Sequence, residues 1–167
     1  AETSPLPHDV RAKTLEVWAL PANLSQRGGG LISLETIGGR IFDAVVFGER
    51  EPKKWTAGSS FFNRTIDLGA ESESSKPGDV VHIAIIYRED NSIAVYRNGV
   101  PYAETYVPRG TDATLRTYSA SESHVLFGLR HTGAGNWFFA GEIEEAWLYD
   151  RALTAVQVAA SFLTGVP

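Results

Sequence analysis

The sequence has no cysteine and no methionine in its 167 residues. Without cysteine there is no disulfide framework and no thiolate zinc site, so a packed core must hold the fold. A basic run is also missing: 15 lysines and arginines stand against 20 aspartates and glutamates, a formal net charge of −5. Nucleic acid, which demands a basic patch, is therefore not expected as a partner. No apolar run approaches the roughly 20 residues that cross a bilayer, so membrane insertion is not expected either. The four histidines, His8, His82, His124 and His131, share no local zinc-binding spacing. There is no nucleophile-elbow motif. Gly28-Gly29-Gly30 runs into a strand pattern with no following lysine, so it is a turn rather than a phosphate loop. The chain starts at Ala1 without a start methionine, and it is expected to be a module of a larger protein.

What is present is a series of short strands. Hydrophobic residues make up 43% of the chain and charged ones 21%, the balance of a globular domain. In "TLEVWAL" Leu15, Val17 and Ala19 alternate with Glu16, Trp18 and Leu20, and Pro21 ends the run. Strand patterns follow in "QRGGGLISLE", "RIFDAVVFGE", "AGSSFFNRT", "VVHIAIIYR", "SIAVYR", "VPYAETY", "HVLFGLRH" and "FFAGEIEEAWLY". Asn98-Gly99 between two of them signals a tight hairpin, because both residues tolerate positive φ. At the end, Thr154 and Gln157 have the spacing of a capping box, and Val156, Ala159, Ala160 and Leu163 recur at helical intervals up to Gly165. The expectation is an all-β, two-sheet antiparallel sandwich of jelly-roll type with a short C-terminal helix. It forms a single domain over residues 1–167, with its core from about 13 to 163.

Three carboxylates, Glu142, Glu144 and Glu145, sit inside the last strand pattern. Paired carboxylates are the machinery of many glycosidases, so a sugar-cleaving site has to be weighed. Strict alternation puts Ile143, Glu145, Trp147 and Tyr149 on one face and Glu142 and Glu144 on the other. The aromatic face is expected to be the core face. Glu145 then points inward to a partner, and Trp147→Ala costs about 3–5 kcal/mol.

Several pieces together resemble LamG-like domains of the concanavalin A-like lectin/glucanase superfamily. They are Glu16-Val17-Trp18, His82-Ile83-Ala84, Tyr96-Arg97-Asn98-Gly99, the run from Phe139 to Glu145, and Tyr149-Asp150-Arg151-Ala152-Leu153. Glu144 stands where that family usually has Asp. Glucanases of the superfamily carry a third carboxylate four or five residues beyond the first. Here those positions are Ala146 and Trp147. The resemblance thus implies a non-catalytic binding or adhesion module for carbohydrate or a protein partner. Its setting would be a larger exported protein with neighbouring domains (periplasmic, cell-surface or secreted). A purely structural interdomain module and a glycoside hydrolase or lyase remain as alternatives.

Sugar recognition needs aromatic platforms beside planar polar groups. Two stretches have that mixture. The first contributes Glu49, Arg50, Trp55, Phe61, Phe62, Asn63 and Arg64, with Asp43 beside it, and the second contributes Arg130, His131, Asn136 and Trp137. Of Phe61 and Phe62, one is expected to face the core and the other to fill a loop. Asp43 is either the salt-bridge partner of an arginine such as Arg64 or a polar floor for a ligand. The arginines point to acidic sugars such as uronates or sialic acid. No cofactor is required by any motif. Calcium is left open by scattered oxygen ligands, Asp43, Asp67, Asp90, Asn91 and Asp112.

Overall fold

Alternation sorts the side chains of the first strand as expected. In β1 (Lys13–Pro21) Leu15, Val17 and Ala19 enter the interior between two sheets. The structure, a computed structural model, describes residues 1–135 and 137–165. The remaining strands are β2 (Gly29–Thr36), β3 (Phe42–Phe47), β4 (Trp55–Ser59), β5 (Val81–Tyr87), β6 (Ile93–Arg97), β7 (Val100–Pro101), β8 (Ser123–Phe127) and β9 (Gly141–Tyr149). They form a five-stranded sheet in the order β7-β6-β5-β1-β9 and a four-stranded sheet in the order β4-β3-β2-β8. Every neighbouring pair is antiparallel. Leu15, Val17, Ile83 and Ile85 from the first sheet meet Leu34, Val45 and Phe47 from the second in one core. The β6–β7 hairpin turns on Asn98 and Gly99, whose φ values are 50° and 76°.

The helix α1 (Ala155–Thr164) begins as its sequence predicts. Gln157 N–H donates to Thr154 Oγ1 at 3.2 Å, and Thr154 N–H donates to Gln157 Oε1 at 2.9 Å. Its buried face differs from expectation. Val158 is fully buried, whereas Val156 and Leu163 are exposed. The sheet beneath explains the rotation, because it is not uniformly apolar. It presents Glu16, whose Oε2 accepts from Ser161 Oγ at 3.1 Å, and the His82 ring, 5.6 Å from that of Phe162. Val158, Ser161 and Phe162 lie on one face at i, i+3 and i+4, and that face is the one that meets the sheet.

The second correction concerns β9. Trp18 pairs with Glu145, but Ala19 pairs with Ile143, so Glu144 is the extra residue of a β-bulge. Past the bulge the faces exchange. Ile143, Ala146 and Leu148 pack on the core, while Trp147 is 48% exposed on the opposite side. Trp147→Ala should therefore lower stability by about 1 kcal/mol or less in denaturant titration, not by the large amount that strict alternation implies.

Candidate functional site

Two segments distant in sequence meet on the outer face of the four-stranded sheet. Along β3, Val45 and Phe47 face the core, while Phe42, Ala44 and Val46 form a small separate cluster on the outer side. After β4 the chain makes a short 3-10 turn, Ser60–Phe62. Ser59 Oγ fixes the turn by accepting from the backbone N–H of Arg64 at 2.9 Å. Phe61 and Phe62 have φ values of 53° and 56°. Left-handed backbone at a bulky residue costs on the order of 1–3 kcal/mol and persists only where surrounding structure enforces it. Both rings face outward, Phe61 83% and Phe62 43% exposed.

The opposite wall comes from the segment after β8. His131 stacks on Phe42 with ring centroids 4.5 Å apart and planes 14° apart. Arg130 pairs with Glu49 and lies 5.2 Å from the ring of Trp137, which is 41% exposed. The glycine run makes this approach possible. A Cβ on Gly30 would lie 2.3 Å from the backbone of Arg130, and one on Gly28 2.4 Å from the Trp137 ring. Between the walls is a cavity of about 230 Å³ lined by Phe42, Glu49, Phe61, Phe62, Arg130 and His131, among others. Burial pushes the Glu49 carboxyl upward, against the opposing pull of Arg130.

Of the residues singled out by sequence, Glu49, Phe61, Phe62, Arg130 and His131 line this cavity. Trp137 packs beside Arg130, and Arg50 lies 5.3 Å from the Phe62 ring while its guanidinium takes Asp67 in two hydrogen bonds of 2.6 and 3.0 Å. Asn63 is half-buried just beyond the turn, its N–H donating to Ser60 O at 3.1 Å. Asn136 lies outside the described residues.

Three candidates are interior residues, which corrects their assignment to a ligand site. Trp55 is fully buried. Its ring centroid is 4.6 Å from that of Phe47, and its Nε1–H donates to Glu73 Oε2 at 2.6 Å. Asp43 and Arg64 are also buried, with Arg64 Nη2 2.6 Å from Asp43 Oδ1. Lys13 Nζ reaches Asp43 Oδ2 at 2.9 Å from the other sheet. Burial would raise the Asp43 pKa, but Lys13 and Arg64 outweigh it and hold the carboxyl below its ordinary value. Asp43 therefore ties the two sheets together and cannot serve as a floor for ligand.

Glu73 behaves similarly. Burial opposes its ionisation, yet Arg97, the Trp55 indole N–H and the Ser75 amide bring its pKa to about 2. A carboxyl depressed in the folded state contributes stability above its unfolded pKa of about 4.5 and loses it as pH falls towards 2. Thermal melts between pH 5 and pH 2 should show a loss of about 3 kcal/mol attributable to this group, and Glu73→Gln should flatten that part of the curve.

The three glutamates of β9 do not form a paired site. Glu142 and Glu144 are exposed, and Glu145, expected to point inward, lies on the outer side and accepts from Trp147 Nε1–H at 2.6 Å. None of them lines the outer-face cavity. Among the described residues no group of three His, Asp or Glu side chains is placed to hold a metal ion. No described helix is long and apolar enough to cross a membrane.

The cavity residue that sequence reasoning missed is Phe42, on the outer side of β3. Glu49, Phe61 and Phe62 belong to the first sugar-like stretch. The expectation that one of the two phenylalanines faces the core is corrected, because the left-handed turn holds both rings outward.

Residues 2–159 match a family model described as the concanavalin A-like lectin/glucanases superfamily. No curated protein matches the sequence. Among solved structures, the native heptameric SAP-like pentraxin from Limulus polyphemus superposes with a TM-score of 0.69 at 20% identity, covering 95% of this chain and 72% of that one. Domain 4 of the extracellular arabinanase AbnA from Geobacillus stearothermophilus, in complex with arabinotriose, gives 0.67 at 19% identity, covering 95% and 70%. The sialidase CBM40 from Ruminococcus gnavus, bound to alpha2,3 sialyllactose, gives 0.62 at 14% identity, covering 90% and 82%. At these identities the likeness is one of fold.

Proposed function

The chain belongs to the concanavalin A-like lectin/glucanases superfamily, and on that premise we propose that it is a non-catalytic, lectin-like module that binds carbohydrate in the outer-face cavity. One observation carries the reading: a strained turn holds two phenylalanines outward at the mouth of an apolar-walled cavity. Strain of this kind persists where an exposed ring has work to do, and a sugar's apolar face stacks on such rings. The carbohydrate ligands named for the arabinanase domain and the sialidase module support it. The extracellular arabinanase also supports an exported parent protein, periplasmic, cell-surface or secreted. A glycosidase needs an acid and a base flanking one bond. The β9 glutamates are instead two exposed carboxylates around a bulge and a third bound by an indole.

A glycan array with and without calcium, followed by calorimetry on the hits, tests the proposal. Phe61→Gly should weaken binding at least about tenfold, or about 1.4 kcal/mol. It should leave stability unchanged or raised, since glycine adopts the left-handed backbone without strain. Glu142→Gln and Glu144→Gln should bind like the parent. Turnover of a β-glucan that disappears in either glutamine variant would overturn the reading in favour of an enzyme. An array without any ligand would leave the structural-module alternative.

A further inference from the structure

We infer that the outer-face cavity recognises a single neutral, hydroxyl-rich sugar ring and discriminates against acidic sugars. The inference rests on the lectin reading and specifies its ligand. Counting arginines along the sequence suggests the opposite, but the structure shows that their charge is already used. Arg130 is paired with Glu49, Arg50 with Asp67, and Arg64 with Asp43. Arg40 is the one guanidinium of the cavity lining that makes neither a side-chain hydrogen bond nor an ion pair among the described residues, and it is exposed.

The groups that remain available are suited to hydroxyls. Among the described residues Glu49 Oε2 is buried without a hydrogen-bond partner, on a side chain only 7% exposed. Arg130 Nε is likewise buried and unpartnered. One is an acceptor and the other a donor, on adjacent residues of the same wall. His131 adds a third polar group. Its Nδ1 lies 2.8 Å from Thr132 O, a carbonyl that can only accept, so Nδ1 carries a proton and Nε2 is the ring nitrogen left for a ligand. Both the Glu49 and the Arg130 atom are shielded from solvent as they stand. A hydroxyl both donates and accepts, so a pair of neighbouring sugar hydroxyls satisfies Glu49 Oε2 and Arg130 Nε together once a small rotation of the two side chains turns them to the cavity. A carboxylate only accepts. Placed here it meets the Glu49 carboxylate, and like-charge contact in a desolvated site is strongly unfavourable. The chain's net charge of −5 acts in the same direction. Size limits how much of a ligand seats inside the walls, with any further rings lying outside. The cavity of about 230 Å³ is smaller than the 300–1,000 Å³ typical of drug-sized ligands, which fits one ring with Phe61, Phe62 and His131 around its apolar face.

The test uses methyl glycosides of glucose, galactose and mannose, with methyl glucuronide and methyl galacturonide as matched acids. Binding is read by calorimetry or ligand-observed NMR. At least one neutral glycoside should bind, at least about tenfold more tightly than its acid partner. Glu49→Gln keeps the shape of the wall, removes its negative charge and frees Arg130. It should weaken the neutral sugar and strengthen the uronate, so that the ratio narrows or inverts. Arg40→Ala removes the lining's one guanidinium without an ion pair among the described residues, and the preference for the neutral sugar over its acid partner should persist in it. Preferential binding of the uronates that is lost in Arg40→Ala would overturn this inference while leaving the lectin reading intact. Absence of binding to every glycan on a broad array would overturn both.

Discussion

Asp43→Asn is expected to cost about 3–5 kcal/mol of folding stability, the range seen when one partner of a buried ion pair is removed. Among the described residues Asp43 is the only anion in contact with two buried cations, Lys13 from β1 and Arg64 from beyond β4. The Lys13 ammonium also sits 4.2 Å from the Tyr87 ring and 5.0 Å from the Tyr118 ring, on a fully buried side chain. Neutralising Asp43 leaves both cations in the interior with aromatic faces and carbonyls as their main support. Lys13 can escape by releasing its proton: burial already lowers its pKa, and Asp43 opposes that shift. A lysine depressed in the folded state binds more protons when unfolded, so stability rises with pH between its folded and unfolded pKa values. The loss in Asp43→Asn should accordingly shrink as pH rises from 7 towards 10. Denaturant titrations at several pH values would show this, and a loss below about 1 kcal/mol at pH 7 would mean that the cluster is not a clamp.

Trp55→Ala should cost a comparable 3–5 kcal/mol, as other large-to-small changes in packed cores do, while leaving glycan affinity per folded molecule unchanged. The ring is fully buried against Phe47, and its N–H is one of the donors that ionise Glu73. Trp55→Phe separates the two contributions. It keeps most of the packing and loses the charge-assisted hydrogen bond, worth about 1.5–3 kcal/mol. Chemical denaturation measures the stability, and calorimetry on a glycan hit measures the affinity. A platform tryptophan would give the reverse pattern, with binding lost and stability kept.

Local chemistry made much of the fold legible. The alternation of β1, the Asn98-Gly99 turn and the Thr154–Gln157 box each depend on residues within a few positions of one another, and each is found in the structure. What failed depended on neighbours. Period-two reasoning cannot anticipate the bulge at Glu144, which shows itself only in the pairing with Trp18 and Ala19. The buried face of α1 depended on Glu16 and His82 beneath it, more than 60 residues away in sequence. Trp55 follows Glu51, Lys53 and Lys54, and that polar context concealed a core residue. The two sugar-like segments were both visible in sequence. Their meeting was not, because the Arg130–Glu49 contact spans 81 positions. Ion pairing also reversed the meaning of the arginines, since a guanidinium already facing a carboxylate no longer attracts an acid.

The central claim is that ligand binds on the outer face of the four-stranded sheet and not along the glutamate-bearing strand. Chemical-shift mapping on ¹⁵N-labelled protein, titrated with the tightest-binding methyl glycoside, tests it most directly. The account predicts that the largest shifts fall on Gly39, Arg40, Phe42, Phe61, Phe62, Arg130 and His131, which line the cavity, with Gly141–Tyr149 unaffected. Shifts concentrated on Glu142, Glu144 and Glu145, with the cavity residues unmoved, would contradict it.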